Sequence, residues 1–182
     1  MLDRDELIFS QTKALGTDEF EITDAAGTLV GTARQTLKLS DLFSSSRGTE
    51  VRDAQGNLVL GVTDPVNWLH DSYEVRLADP DLPLATLRTR FAWLRTKLSL
   101  EIAGFPEVEV DGKLMALDFT LTSMGREIAR ITAEYSGMGR MMMGKTTYRI
   151  TFAPGLDERQ HAAILGSAVA LDMLRRKRRN SS

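Results

Sequence analysis

Apolar and polar residues alternate with a period of two along most of the chain, and the period changes only near its end. Glu21 to Gly31, EITDAAGTLVG, and Glu50 to Leu60, EVRDAQGNLVL, are two copies of one pattern, 29 residues apart, sharing Glu, Asp, Ala, Gly, Leu and Val. In each copy an Asp-Ala-x-Gly turn separates two alternating runs. Asp and Gly supply tight-turn geometry, so each copy predicts a β-hairpin with Gly27 and Gly56 at positive φ. A third hairpin is predicted where Tyr73, Val75 and Leu77 alternate, Asp79 to Pro83 turn, and alternation resumes from Leu84. Further alternating runs are LSLEIAG and VEVDGKLMALDFTLTSMGREIARITAEYS, with turn signals at Asp111-Gly112 and Met124-Gly125. The last run, TTYRITF, stops before Pro154-Gly155. Ten to twelve short strands at this spacing predict a sandwich or a barrel.

From Leu156-Asp157 onward, DERQHAAILGSAVALDMLRRKRR reads as a helix, with acids in its first turn and cations in its last, as the helix dipole favours. Its middle, Ala162 to Leu171, is apolar or small on every face. A helix without a polar stripe is buried on all sides. In a chain otherwise made of strands, the way to surround one helix is to thread it through a barrel. Ala162, Ala163, Gly166, Ser167 and Ala168 are small enough to let strands approach closely. Asp172 is the acid in this apolar setting, and a buried carboxylate needs a partner such as an Arg or a strand N–H.

Composition narrows the chemistry. The 182 residues suit one domain (1–182) that buries a core without staples, and with no cysteine there is no disulfide framework, thiolate nucleophile or thiolate metal site. The start, MLDRDELIFSQ, lacks the cationic and apolar regions of a signal peptide, and no apolar stretch approaches the roughly 20 residues needed to cross a bilayer. The expected location is the cytoplasm, with peripheral contact as the form of membrane association. Arg175, Arg176, Lys177, Arg178 and Arg179 open a basic tail, 175–182. Setting those five charges aside from the total of −2 leaves a body of −7, so attraction to an anionic partner must come from local patches.

The paired hairpins with D-A-x-G turns, the late Y-R-I-x-F strand, and the apolar helix with A-L-D before a basic end together resemble the LURP-one-related proteins. The resemblance runs from about Leu7 to Arg175. These proteins are grouped with tubby C-terminal domains and phospholipid scramblases. The resemblance implies a mainly β fold, a closed antiparallel barrel of about twelve strands around a C-terminal helix. It also implies a non-enzymatic domain, associated with membrane phospholipid in some relatives and with nucleic acid or transcription in others. No ligand residue of the tubby-type pocket is carried over.

Three stretches invite a binding function. LRTRFAWLRTK, Leu87 to Lys97, interleaves Arg88, Arg90, Arg95 and Lys97 with Phe91 and Trp93, a mixture suited to phospholipid headgroups or single-stranded nucleic acid. The simpler reading is a strand with a solvated outer face, Arg88 and Arg90 sharing that face. The cluster from Arg175 to Arg179 could hold anionic lipid, or it could cap the helix and solvate its exit. GRMMMGKT, Gly139 to Thr146, matches the phosphate-cradling pattern in which Lys145 reaches phosphate and Thr146 binds Mg²⁺. That chemistry needs a helix starting at the Lys, and TTYRITF predicts a strand, so a glycine-rich hairpin is the stronger reading. Met138, Met141, Met142 and Met143 read as core filling before an adaptable surface. His70 and His161 have no metal-ligand spacing, and no serine sits in G-x-S-x-G. The residues call for no cofactor or metal. The leading expectation is a binding domain for anionic phospholipid; the alternatives are a protein-interaction scaffold, a nucleic-acid module and, last, a nucleotide-dependent enzyme.

Overall fold

The alternating runs do become strands. The computed structural model describes residues 1–12, 19–36, 48–64, 72–77, 83–92, 95–134 and 146–180, with backbone only at 90–92, 95–97 and 180. The strands are β1 (Glu6–Gln11), β2 (Glu19–Thr23), β3 (Leu29–Thr36), β4 (Gly48–Asp53), β5 (Leu58–Thr63), β6 (Ser72–Leu77), β7 (Ala85–Ala92), β8 (Arg95–Ile102), β9 (Glu109–Lys113), β10 (Asp118–Ser123), β11 (Arg126–Ala133) and β12 (Thr147–Phe152). One helix, α1 (Glu158–Asn180), follows them. Every strand pair is antiparallel, in the order β8-β7-β6-β5-β4-β3-β2-β1-β12-β11-β10-β9. β1 bridges β2 and β12, bringing the two ends of the chain together. The barrel expected from the pattern is therefore present but not fully closed, because no ladder joins β8 to β9 among the described residues.

The repeated hairpins share one turn geometry. Asp24 Oδ1 accepts from Ala26 N and Thr28 N at 3.0 and 2.9 Å, and Asp53 Oδ1 accepts from Gln55 N and Asn57 N at 2.9 and 2.8 Å. Gly27 and Gly56 sit at φ +80° and +87°, where a side chain is strained. The Asn57 amide, with the surrounding backbone N–H groups, holds the Asp53 carboxyl below its ordinary range. Met124-Gly125 also turns, with φ of 50° and 74° as the primed hairpin turns require. Asp111-Gly112 does not turn. It lies inside β9, where Gly112 faces Phe119 and a methyl group would overlap the Asp118 carbonyl oxygen. The chain instead reverses through a short 3-10 turn at Leu114–Ala116.

Inward positions of the strands make the wall of the core, and α1 fills it. Phe9 and Tyr148, cross-strand partners on β1 and β12, stack at 4.8 Å between ring centroids with Phe20 edge-on to Tyr148 at 5.9 Å. Along α1, every residue from Ala162 to Leu165 and from Ala168 to Leu171 is at most 2% exposed. Such an all-round apolar surface leaves water only where strands enclose it. At Gly166 the helix passes so close to β6 that an added Cβ would overlap Val75 Cγ1. Asp157 and Gln160 form a reciprocal capping box at the start, Gln160 N donating to Asp157 Oδ1 at 2.8 Å and Asp157 N to Gln160 Oε1 at 3.0 Å.

Candidate functional site

The ladders sort every connection to one of two barrel ends. Thr63 pairs with Glu74 and Ser72 with Arg88, so the close of β5, the start of β6 and the far part of β7 lie together. The C-terminal half of α1 reaches this same end: Lys177 Nζ lies 3.1 Å from Asp64 Oδ2, and Arg175 Nη2 donates to Thr146 Oγ1, just before β12, at 2.9 Å. The 3-10 turn after β9 belongs here too, since Lys113 pairs with Asp118. At the opposite end are the two Asp-Ala-x-Gly turns and the helix start, where Gln160 Nε2 donates to the Gly104 carbonyl at 3.4 Å. We call these the basic rim and the turn rim.

The run Leu87 to Lys97 is not one strand. It forms the end of β7 and the start of β8, with Trp93 and Leu94 outside the described residues. The register places Arg88 opposite Ser99, Arg90 opposite Lys97 and Ala92 opposite Arg95. Directly opposed residues share a sheet face. Leu87 and Thr89 are buried, so the positions of Arg88, Arg90, Arg95 and Lys97 all fall on the outer face at the basic rim. Arg88 is 53% exposed and lies 3.4 Å from Glu101. The hairpin thus collects four cationic positions where the single-strand reading grouped only two.

The five cations of the C-terminal cluster divide. Asp172, 1% exposed, receives Arg175 at 3.0 Å and Arg176 at 3.1 Å. Arg175 is itself buried, and Arg176 lies over the Phe20 ring at 5.4 Å from its centroid. These two guanidiniums therefore neutralise a core carboxylate and seat the helix against β2 and the start of β12. Burial, and after it the Asp172 charge, pushes the neighbouring Tyr148 phenol well above its ordinary value. Lys177 meets Asp64, while Lys177 and Arg179 are exposed and Arg178 is half-buried at the exit. The spacing of Asp172 to Arg175 and Arg176, three and four residues, was the sequence signal for this split.

The Gly139 to Thr146 motif lies outside the described residues except for Thr146, as do Lys145 and Met138, Met141, Met142 and Met143. Thr146 N donates to Gln11 Oε1 at 3.0 Å, its hydroxyl accepts from Arg175, and β12 begins at the next residue. No helix N-terminus follows the motif to face a phosphate. Two residues of the basic rim carry no motif in the sequence. Lys113 closes β9, and Met115, on the adjoining 3-10 turn, is 60% exposed.

A nearly closed antiparallel barrel around a C-terminal helix defines the class of domain. The family model described as LURP-one-related matches residues 6–172, and the chain belongs to that family. The fold is also that of a solved protein from Arabidopsis thaliana, at a TM-score of 0.53 and 15% identity, covering 92% of this chain and 90% of that one. No curated protein matches the sequence.

Proposed function

We propose that the protein is a non-enzymatic binding domain that attaches peripherally to a membrane through its basic rim, taking anionic phospholipid headgroups. The observation behind this reading is the β7–β8 register, which sets Arg90 against Lys97 and puts Arg88 and Arg95 on the same outer face. Each basic residue near an anionic surface contributes about 1 kcal/mol, so the four together supply binding of order 4 kcal/mol, falling as salt screens it. Arg178 and Arg179 at the helix exit add to the same rim. The exposed Met115, on the turn after β9, gives the same rim an apolar residue suited to the headgroup boundary.

The test is flotation with phosphatidylcholine vesicles, with and without phosphatidylserine, across a salt series. Binding is expected only with the anionic lipid, weakening as salt rises and lost in Arg90→Glu/Lys97→Glu. Arg126→Glu, a charge reversal on the turn rim, should retain it. Equal binding by the hairpin variant removes the reading. A gel shift with single-stranded DNA or RNA, lost in the same variant while vesicles fail to bind, points to the nucleic-acid alternative.

A further inference from the structure

Among the described residues the wall of the barrel is unpaired between β8 and β9. These strands follow each other in sequence, joined by residues 103–108, yet no ladder connects them among the described residues. Ala103 N donates to the Leu84 carbonyl at 2.7 Å, which fixes the phase of the β7–β8 ladder. Hydrogen-bonded pairs then alternate, so the peptide groups of Ser99 and Glu101 face β7. Those of Leu98 and Leu100 face the break. The Ile102 carbonyl is taken by Phe105 N at 3.1 Å, which ends the open stretch at the turn rim. Strand edges of this kind are templates for another strand.

A cavity of about 510 Å³ adjoins this edge, lined by the start of β7, by Ser99 to Ala103, and by Phe105 to Val108. Phe105 and Val108 are half-buried against the core, while Glu101 and Glu107 are exposed. Glu109 and Asp111 continue the acidic rim on β9, both exposed. A small molecule of that volume would leave the serial donors and acceptors of β8 unmatched, whereas an extended chain matches them residue by residue. Leu100 faces the core and Glu101 the outside, so a short strand beside the turn-rim end of β8 meets apolar and acidic surroundings in alternation, the cationic positions Lys97 and Arg95 lying beyond it toward the basic rim.

We propose that this break is a docking site for an extended segment of a partner protein. The segment pairs with β8, turning alternate apolar side chains inward toward Phe105 and Val108 and alternate Lys or Arg side chains outward toward Glu101 and Glu107. The site lies on the wall and touches the basic rim at one point, where Glu101 lies 3.4 Å from Arg88.

The probe is a fluorescent short peptide of alternating Val and Lys, read by anisotropy and by amide hydrogen exchange of the full chain. The expected result is saturable binding with slowed exchange at Leu98 and Leu100. Proline at alternate peptide positions, which removes the pairing N–H groups, should weaken binding about tenfold or more. A Val-Glu peptide should fail, and Glu101→Lys/Glu107→Lys should weaken the Val-Lys peptide while keeping the wild-type circular dichroism. The proposal is overturned by equal binding of the proline peptide, by binding without protection of β8, or by no saturation. It is equally overturned if light scattering shows the edge already occupied by a second copy of this chain.

Discussion

The two ends of α1 are held by different physics. At the turn rim the helix starts in water, capped by the Asp157–Gln160 box and by His161 Nδ1 against the Asp157 carbonyl at 2.9 Å. At the basic rim it is seated by charges out of water: Asp172, Arg175 and Arg176, with Thr146 and Phe20 receiving the two guanidiniums. An exposed cap loses little when it is broken, because water replaces it. A buried ion cluster loses a great deal, because removing one member strands the others. The contrast separates buried from exposed charge: cations that look alike in sequence are held against the core at Arg175 and Arg176 and are exposed at Lys177 and Arg179.

The sharpest way to break this contrast is Asp172→Ala. It leaves two guanidiniums beside the core without their carboxylate and should lower stability by about 3–5 kcal/mol in a urea titration. A shift below about 1 kcal/mol would mean that the cluster is solvated and the two ends are alike. Next is alkaline pH. Burial raises the Tyr148 phenol well above its ordinary 10.0, so the folded chain keeps a proton that the unfolded chain releases. The associated stability is complete below that ordinary value and is lost as pH climbs past it toward the folded value. Thermal melts in alkaline buffer should therefore fall more steeply for the wild type than for Tyr148→Phe. At the turn rim, Asp157→Ala removes the exposed cap and should cost about 1 kcal/mol. Smallest of all, Arg126→Glu should move the urea midpoint by no more than about 0.5 kcal/mol in equivalent stability.

How much of this was legible follows from where each signal lives. The hairpins at Asp24–Thr28 and Asp53–Asn57 were readable because the Asp carboxylate and the following Gly act within five residues. The helix was readable because a run without a polar stripe has one solution in a β protein. The break in LRTRFAWLRTK was not, since the run contains none of the usual turn residues and the register that unites Arg90 with Lys97 is set by the pairing of two strands. Asp111-Gly112 misled for the converse reason. Its glycine serves a close approach to Phe119, and the real reversal at Leu114–Ala116 has no turn chemistry of its own. The open seam was invisible because a missing ladder leaves no mark on the pattern of either strand. Nine cations were candidates by residue type, and what separates Arg175 and Arg176 from the others is their ion pairing with the buried Asp172.

The position of α1 in the chain also sets the order in which the molecule can be assembled. All twelve strands precede the helix that their inner faces require. A ribosome delivering about 5–20 residues per second makes the complete shell before its filling. Until Gly166 and its neighbours emerge, Phe9, Ile22, Val51 and Leu60 have no helix to cover them. The newly made strands therefore keep their apolar inner faces uncovered until the plug arrives, and its insertion is the event that turns an open sheet into a finished domain.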